Sequence, residues 1–376
     1  MKKTLAAVAI LGAFAASASA DVTVYGNVDL GLGWTHSDAG VDTVTMKSGM
    51  DSPSRVGFAA SEKIGDVTVG LKFENSFDAA TGKDTAPGFF NRETRLYVKG
   101  AYGEVGVGRF GALDSTTGPY ALAGSALHAA TGINGIASTG VVFLGQNSRI
   151  ANTVAYVSPN FGGVTLHAQY ASDSDNTHKS NRYYAMGARY KAGAFMATLV
   201  GSLEDGADAA ATDAVYGWDD DDDDASTPAV WGVVADAAAA KKGEETKTIT
   251  AGVSYDFGVT KALVAAQYFD NAKAAISNLA ATKATDVYVD GYGVTVGAVT
   301  PLCGGTLKTQ FGYMKAENVA GKAKGEYDAW NVGALYYYNL SKQTQVYGGL
   351  GYTVQGEEGK DDFKTVNGAL GMIHKF

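Results

Sequence analysis

The feature that most constrains this chain is a period-two alternation of apolar and polar residues, repeated in short segments from residue 21 to the last. Successive side chains of a β-strand point to opposite faces, so each segment reads as a strand with one apolar and one wet surface. At the start, Val22, Val24, Val28, Leu30, Leu32 and Trp34 share one face, and Thr23, Tyr25, Asn27, Asp29, Gly31 and Gly33 share the other. Near the end, Trp330, Val332, Ala334, Tyr336, Tyr338 and Leu340 oppose Asn331, Gly333, Tyr337 and Asn339. The last segment sets Val366, Gly368, Leu370, Met372, His374 and Phe376 against Asn367, Ala369, Gly371, Ile373 and Lys375. No stretch after the first twenty residues approaches the ~18 consecutive apolar residues of a membrane-spanning helix.

Sixteen segments carry the pattern, over 21–34, 55–63, 66–78, 92–100, 103–110, 149–158, 163–172, 182–191, 194–204, 246–257, 260–271, 286–299, 305–316, 326–340, 344–355 and 363–376. Short turns alternate with longer polar loops at 35–54, 79–91, 111–148, 173–181, 205–245, 272–285, 317–325 and 356–362. That is an up-and-down meander with one plain end and one elaborated end. An even number of strands closes without an exposed edge, which matters where unpaired backbone groups would meet hydrocarbon. Tyr and Trp gather near segment ends (Trp34, Tyr190, Tyr255, Tyr268, Trp330, Tyr338 and Tyr352), as rings with a polar tip do at a membrane interface. A soluble sandwich also alternates, but its second face must pack. Here that face carries Gly, Ser, Thr, Asn, Asp and Lys, too few large residues for a second core. The expected fold is all-β: a transmembrane antiparallel β-barrel of sixteen strands with water inside.

The first twenty residues point the same way. Lys2 and Lys3 precede an apolar run from Leu5 to Ala16, and Ala18-Ser19-Ala20 supplies small residues for cleavage. This reads as a secretory signal peptide over 1–20, leaving one barrel domain over 21–376. Without Lys2 and Lys3, 28 basic residues face 39 acidic ones, a net of −11, which excludes a nucleic-acid binder. Cys303 is the only cysteine, so no intramolecular disulfide forms. His36, His128, His167, His178 and His374 lack metal-ligand spacing, and no nucleophile elbow or phosphate-cradling glycine loop is present. No cofactor, metal or enzymatic activity is expected.

Several stretches are similar to the Gram-negative general porin family, in its trimeric sixteen-stranded branch. Val22-Thr23-Val24-Tyr25-Gly26 with Asp29 resembles the family's first strand, and Ser54-Arg55-Val56-Gly57-Phe58 with Ser61-Glu62 its second. Gly103 to Arg109 looks like the strand that feeds the long third loop. Arg149, Asn152, Tyr156 and Ser158 to Gly163 resemble the hairpin after it, and Gly371 to Phe376 the family's C-terminal ending. The resemblance implies a homotrimer in outer-membrane lipid, passing small hydrophilic solutes and ions by passive diffusion, with the third loop (111–148) folded into the lumen. It also implies a pore constriction walled by arginines. Carried over singly, these are Arg55, Arg92 and Arg149.

Alternation tests those positions independently. Val56 and Phe58 on the apolar face turn Arg55 to the lumen, and Val154 and Tyr156 turn Arg149 likewise. Arg92 shares a face with Leu96 and Val98, so it reaches the lumen only beside a bulge or above the membrane zone. Arg95, Arg189 and Lys72 face inward by the same count and form a second tier. In 111–148 the sole acid is Asp114, and the segment also holds His128, so little offsets the arginines and a preference for anions is expected. The run Asp219, Asp220, Asp221, Asp222, Asp223 and Asp224 reads as a solvated loop; a cation-binding loop is the sharper alternative, though the spaced ligands of a calcium loop are missing. A substrate-specific channel is the rival function. It needs a defined aromatic or polar track, which Tyr25, Tyr97, Tyr183, Tyr337 and Tyr347 do not trace in sequence.

Overall fold

Each strand needs hydrogen-bond partners along both edges, and the alternating segments supply them to one another. The computed structural model describes residues 21–123, 136–172, 182–205, 215–219, 230–235, 245–276, 285–319 and 325–376. Its strands are β1 (Asp21–Ser37), β2 (Asp42–Ser48), β3 (Arg55–Ile64), β4 (Val67–Ser76), β5 (Glu93–Gly100), β6 (Gly103–Gly111), β7 (Arg149–Val157), β8 (Val164–Ala171), β9 (Tyr183–Ala192) and β10 (Phe195–Glu204). They continue as β11 (Val215–Asp219), β12 (Val230–Ala235), β13 (Thr246–Asp256), β14 (Lys261–Ile276), β15 (Thr285–Leu302), β16 (Gly305–Asn318), β17 (Glu326–Asn339), β18 (Thr344–Glu357) and β19 (Phe363–Lys375).

All of these except β11 and β12 form one antiparallel sheet, in which β10 pairs with β13 and β19 returns to pair with β1. Both β2 and β3 lie against β1, along 30–36 and 21–27 respectively, so together they make one stave broken at residues 49–54. Counted that way, the sheet is a closed barrel of sixteen staves. The main-chain N–H and C=O of Phe376 also bond to Gly26, at 3.1 and 3.0 Å, and tie the C-terminus into the seam.

Two of the expected loops contain strands of their own. Within 35–54, β1 runs on to Ser37 and β2 folds back on it as a hairpin; its Val44 and Met46 continue the outward apolar row. Within 205–245, β11 and β12 pair with each other. Each stretch of alternation there is short and flanked by Gly- or Asp-rich sequence, which hides the period. The signal segment 1–20, His128, and Asp220 to Asp224 lie outside the described residues.

The two faces separate as the alternation requires. Val24, Leu96, Val154, Leu166, Met186, Leu199, Phe311, Leu350 and Leu370 are exposed on the outside of the wall. Asn27, Glu74, Thr153, Gln169, Thr198, Gln267, Thr295 and Asn331 are buried on the inside. The inner face is not polar throughout. Described residues of 111–148 rest on it in three apolar clusters: Leu113 and Leu122 with Phe110, Tyr183 and Val200; Val142, Phe143 and Leu144 with Phe269 and Met314; and Ile136 and Ala137 with Met50, Leu335 and Tyr347. Polar contacts accompany them. The N–H of Leu144 donates to Gln267 Oε1 at 2.9 Å, and Asn331 Nδ2 donates to the carbonyl of Ser138 at 2.7 Å.

Inward tyrosines lie across glycines of the neighbouring strand. Tyr25 faces Gly57, Tyr97 faces Gly70 and Tyr347 faces Gly371 in direct register. A Cβ at any of these glycines would stand 2.3–2.4 Å from the opposing tyrosine side chain. Without one, the ring lies flat against the wall.

Candidate functional site

Basic and acidic side chains alternate along the inner face of β3 to β6. Arg55 is opposite the buried Asn27, on the inward phase of its pair with β1. Its guanidinium donates to Ser52 Oγ at 3.0 Å and to the carbonyl of Pro53 at 3.1 Å, with Glu74 3.6 Å from its Nε. Glu74 is inward on β4 and serves several cations at once. Arg92 Nε donates to it at 2.5 Å, Tyr25 OH at 3.0 Å, and Lys72 Nζ lies 3.5 Å away.

Arg92 precedes the first residue of β5, and this resolves its position. It is outside the alternating ladder, its N–H bonds to the carbonyl of Glu74, and its side chain turns to the Glu74 carboxylate. Arg95, within β5, donates to Glu93 at 2.8 Å, to Glu104 at 2.8 Å and to Tyr120 OH at 3.0 Å, and stacks 4.6 Å from the centre of the Tyr97 ring. Lys72 completes the set, bonded to Glu93 at 3.0 Å.

A bulge places Arg149. Between β6 and β7 the register shifts, with Gly108 opposite Thr153 but Phe110 opposite Ile150, and Asn152 takes a left-handed conformation (φ 51°). The extra residue inverts the alternation upstream of Asn152, so counting back from Val154 does not give the direction of Arg149. The side chain nevertheless lines a cavity of about 430 Å³ with Arg92 and Arg109, among Ser48, Ser54, Ser76 and Asn91, with Asp78 as its one acid. Arg109 also sits at the bulge and donates to the carbonyl of Asn91 at 3.2 Å.

Arg189 and Asp114 lie apart from this group. Arg189 pairs with Thr165 and Thr198, both buried inside, close to the Ala192 end of β9. Among the described residues neither Arg189 nor Arg149 has an ion pair. Asp114 is fully buried and faces no arginine. It accepts hydrogen bonds from Tyr183 OH and Ser202 OH, each at 2.7 Å, and burial pushes its carboxyl up to about 6. Asp219 lies in β11 with its backbone paired to Val230. Among the described residues no group of His, Cys, Asp and Glu could hold a metal ion.

Sequence reasoning looked for acids on the third loop and missed those on the wall. Glu74 and Glu93 share the inward phase with Lys72 and Arg95, so the signal was present in the same alternation. Arg109 gave no such signal, because only the bulge brings it to the cavity. In all, Arg55, Lys72, Arg92, Arg95, Arg109 and Arg149 meet Glu74, Glu93, Glu104 and Asp78, so positive charge is in excess by two.

Comparison with known proteins gives a consistent picture. A family model described as Gram-negative porin matches residues 6–357. Outer membrane porin protein 32 of Delftia acidovorans is 28% identical over 94% of this chain and 89% of its own length. Major outer membrane protein P.IB of Neisseria meningitidis serogroup B is 27% identical over the whole of both chains. Among solved structures, an anion-selective porin from Comamonas acidovorans superposes with a TM-score of 0.65 at 24% identity, covering 95% of this chain and all of that one.

Proposed function

Because the chain belongs to the Gram-negative porin family, we propose that this outer-membrane channel passes small hydrophilic solutes with a preference for anions. It is a barrel that does no chemistry on what it carries. The observation that carries the preference is the excess of guanidinium groups over carboxylates on the inner wall of β3 to β7. Arginine stays charged at any working pH, and a narrow water-filled passage walled by low-dielectric material strengthens its field. Anions concentrate in such a passage, cations are repelled, and neutral solutes pass by size.

In this reading the third loop narrows the lumen beside that wall, with Arg55, Arg92 and Arg149 lining the narrowing. Arg95 is held more tightly by its acids and tunes the field, and Arg189 acts nearer the plain end. Asp114 anchors the loop and is no counter-charge. The anion-selective relative supports this assignment, as does the net positive wall. The working form is a homotrimer with three separate pores, formed after removal of residues 1–20.

The test is a reversal potential across a planar bilayer under a potassium chloride gradient. The wild-type channel gives a potential of the sign that anion permeation sets. Arg55→Gln combined with Arg149→Gln moves it toward cations. If the double variant kept the wild-type potential, those residues would not line the selective passage.

A further inference from the structure

Asp29 is fully buried in the wall on β1, and its polar atoms are committed largely to residues 49–54, the break between β2 and β3. Its N–H donates to Ser54 Oγ at 2.9 Å, and its carbonyl accepts from the N–H of Gly49 at 2.9 Å and from Ser54 Oγ at 3.1 Å. Carboxylate Oδ2 accepts the N–H groups of Asp51 and Ser52 at 2.9 and 2.8 Å. The other oxygen, Oδ1, accepts Tyr347 OH at 2.6 Å from across the seam. An ionised carboxylate has acceptor sites enough for all three, and hydrogen bonds to charged groups are the stronger kind.

The segment so held has two working ends. Ser52 Oγ and the Pro53 carbonyl grip the Arg55 guanidinium. Met50 stands in the apolar cluster with Ile136 and Ala137 of the third loop. A chain of contacts therefore runs from Tyr347 through Asp29 and the 51–52 amides to Arg55, a residue that Asp29 does not touch.

The geometry points to Asp29 as a positioning residue for charge selectivity, acting through residues 51–53 to fix the Arg55 guanidinium. This rests on the reading of Arg55 as part of the selective wall. A side-chain amide at position 29 can keep its oxygen on the two backbone amides and turn its NH₂ to the Tyr347 hydroxyl, but it lacks the negative charge that strengthens those bonds, and the Tyr347 proton loses its acceptor. The segment then loosens and Arg55 loses its hold.

The experiment measures the anion-to-cation permeability ratio of the full-length, membrane-inserted channel in potassium chloride, for Asp29→Asn, Tyr347→Phe, Arg55→Gln and the Asp29→Asn/Arg55→Gln double variant. Simple charge counting says that removing the Asp29 carboxylate raises the ratio. Positioning says the opposite: Asp29→Asn lowers it toward the Arg55→Gln value and changes nothing further once Arg55 is gone. Tyr347→Phe, which keeps the carboxylate and the ring, lowers it less; should Asp29→Asn not assemble, this variant decides alone. A raised or unchanged ratio in Asp29→Asn, or an unchanged one in Tyr347→Phe, beside a lowered ratio in Arg55→Gln, overturns the inference. An unchanged ratio in Arg55→Gln overturns instead the reading of the wall on which it stands.

Discussion

Asp114 shows how one buried group can read pH. Its carboxylate is fully buried, and desolvation is the largest influence on it, outweighing the two hydroxyls that donate to it. The folded value of about 6 lies above the ordinary 3.8, so folding favours the protonated acid. That contribution is complete below pH ~4 and is lost as pH rises through about 6; a shift of this size corresponds to about 3 kcal/mol. Asp114→Asn keeps an oxygen for Tyr183 and offers an NH₂ group to Ser202, whose hydroxyl can turn to Thr248 Oγ1 at 2.7 Å. Other titrating groups are common to both proteins and cancel in the difference. The thermal midpoint of the wild type, relative to Asp114→Asn, should therefore fall between pH ~4 and ~7 when followed by circular dichroism in detergent. Parallel curves would place the carboxyl in water, contrary to its burial.

At the level of strands, the pairing of inward tyrosines with opposing glycines makes the wall thin. Tyr97 covers Gly70 of β4 and carries Arg95 on its other face, 4.6 Å from the ring centre. Alanine in place of a strand glycine is ordinarily neutral or favourable. Here its Cβ would stand 2.3 Å from the ring, so the tyrosine must swing away from the wall and Arg95 with it. Gly70→Ala should cost about 1–3 kcal/mol, as overpacking does, and lower single-channel conductance; adding Tyr97→Ala should restore stability. Failure of the second substitution to rescue the first would mean that the contact is not the cause. The same strands show what the sequence could and could not reveal. Alternation located the sixteen staves and turned Arg55, Arg95 and Arg189 inward, because register on a two-faced wall leaves no freedom. It equally marked Glu74 and Glu93, which attention to loop acids passed over. It could not place Arg92, Arg109 or Arg149, since a strand end and a bulge reset the count at those points. Nor could it reveal the hairpin of β1 with β2, whose break at 49–54 is held by contacts from β1 and β18.

For the whole molecule, the fold reverses the usual sense of inside and outside. The chain carries a formal net charge of −9, yet the charge excess on the wall of β3 to β7 is positive, so the sign of the protein as a whole says little about the sign of its passage. What fixes the passage is which face of each stave meets hydrocarbon, and that can be tested with neighbouring residues. Met186 is 73% exposed near the middle of β9, Leu199 is 54% exposed near the middle of β10, and Arg189 is on the opposite face of β9. In a soluble protein the first two would be surface sites that accept a charge freely. In the outer membrane they face acyl chains, where an arginine costs about 2–4 kcal/mol near the midplane. Met186→Arg and Leu199→Arg should each lower stability in lipid vesicles by that amount on urea unfolding. Arg189→Met, which removes a charge having no ion pair among the described residues, should change it by less than about 0.5 kcal/mol. The opposite pattern, tolerance outside and loss inside, would mean that the exposed rows meet water and that the barrel is not lined by it.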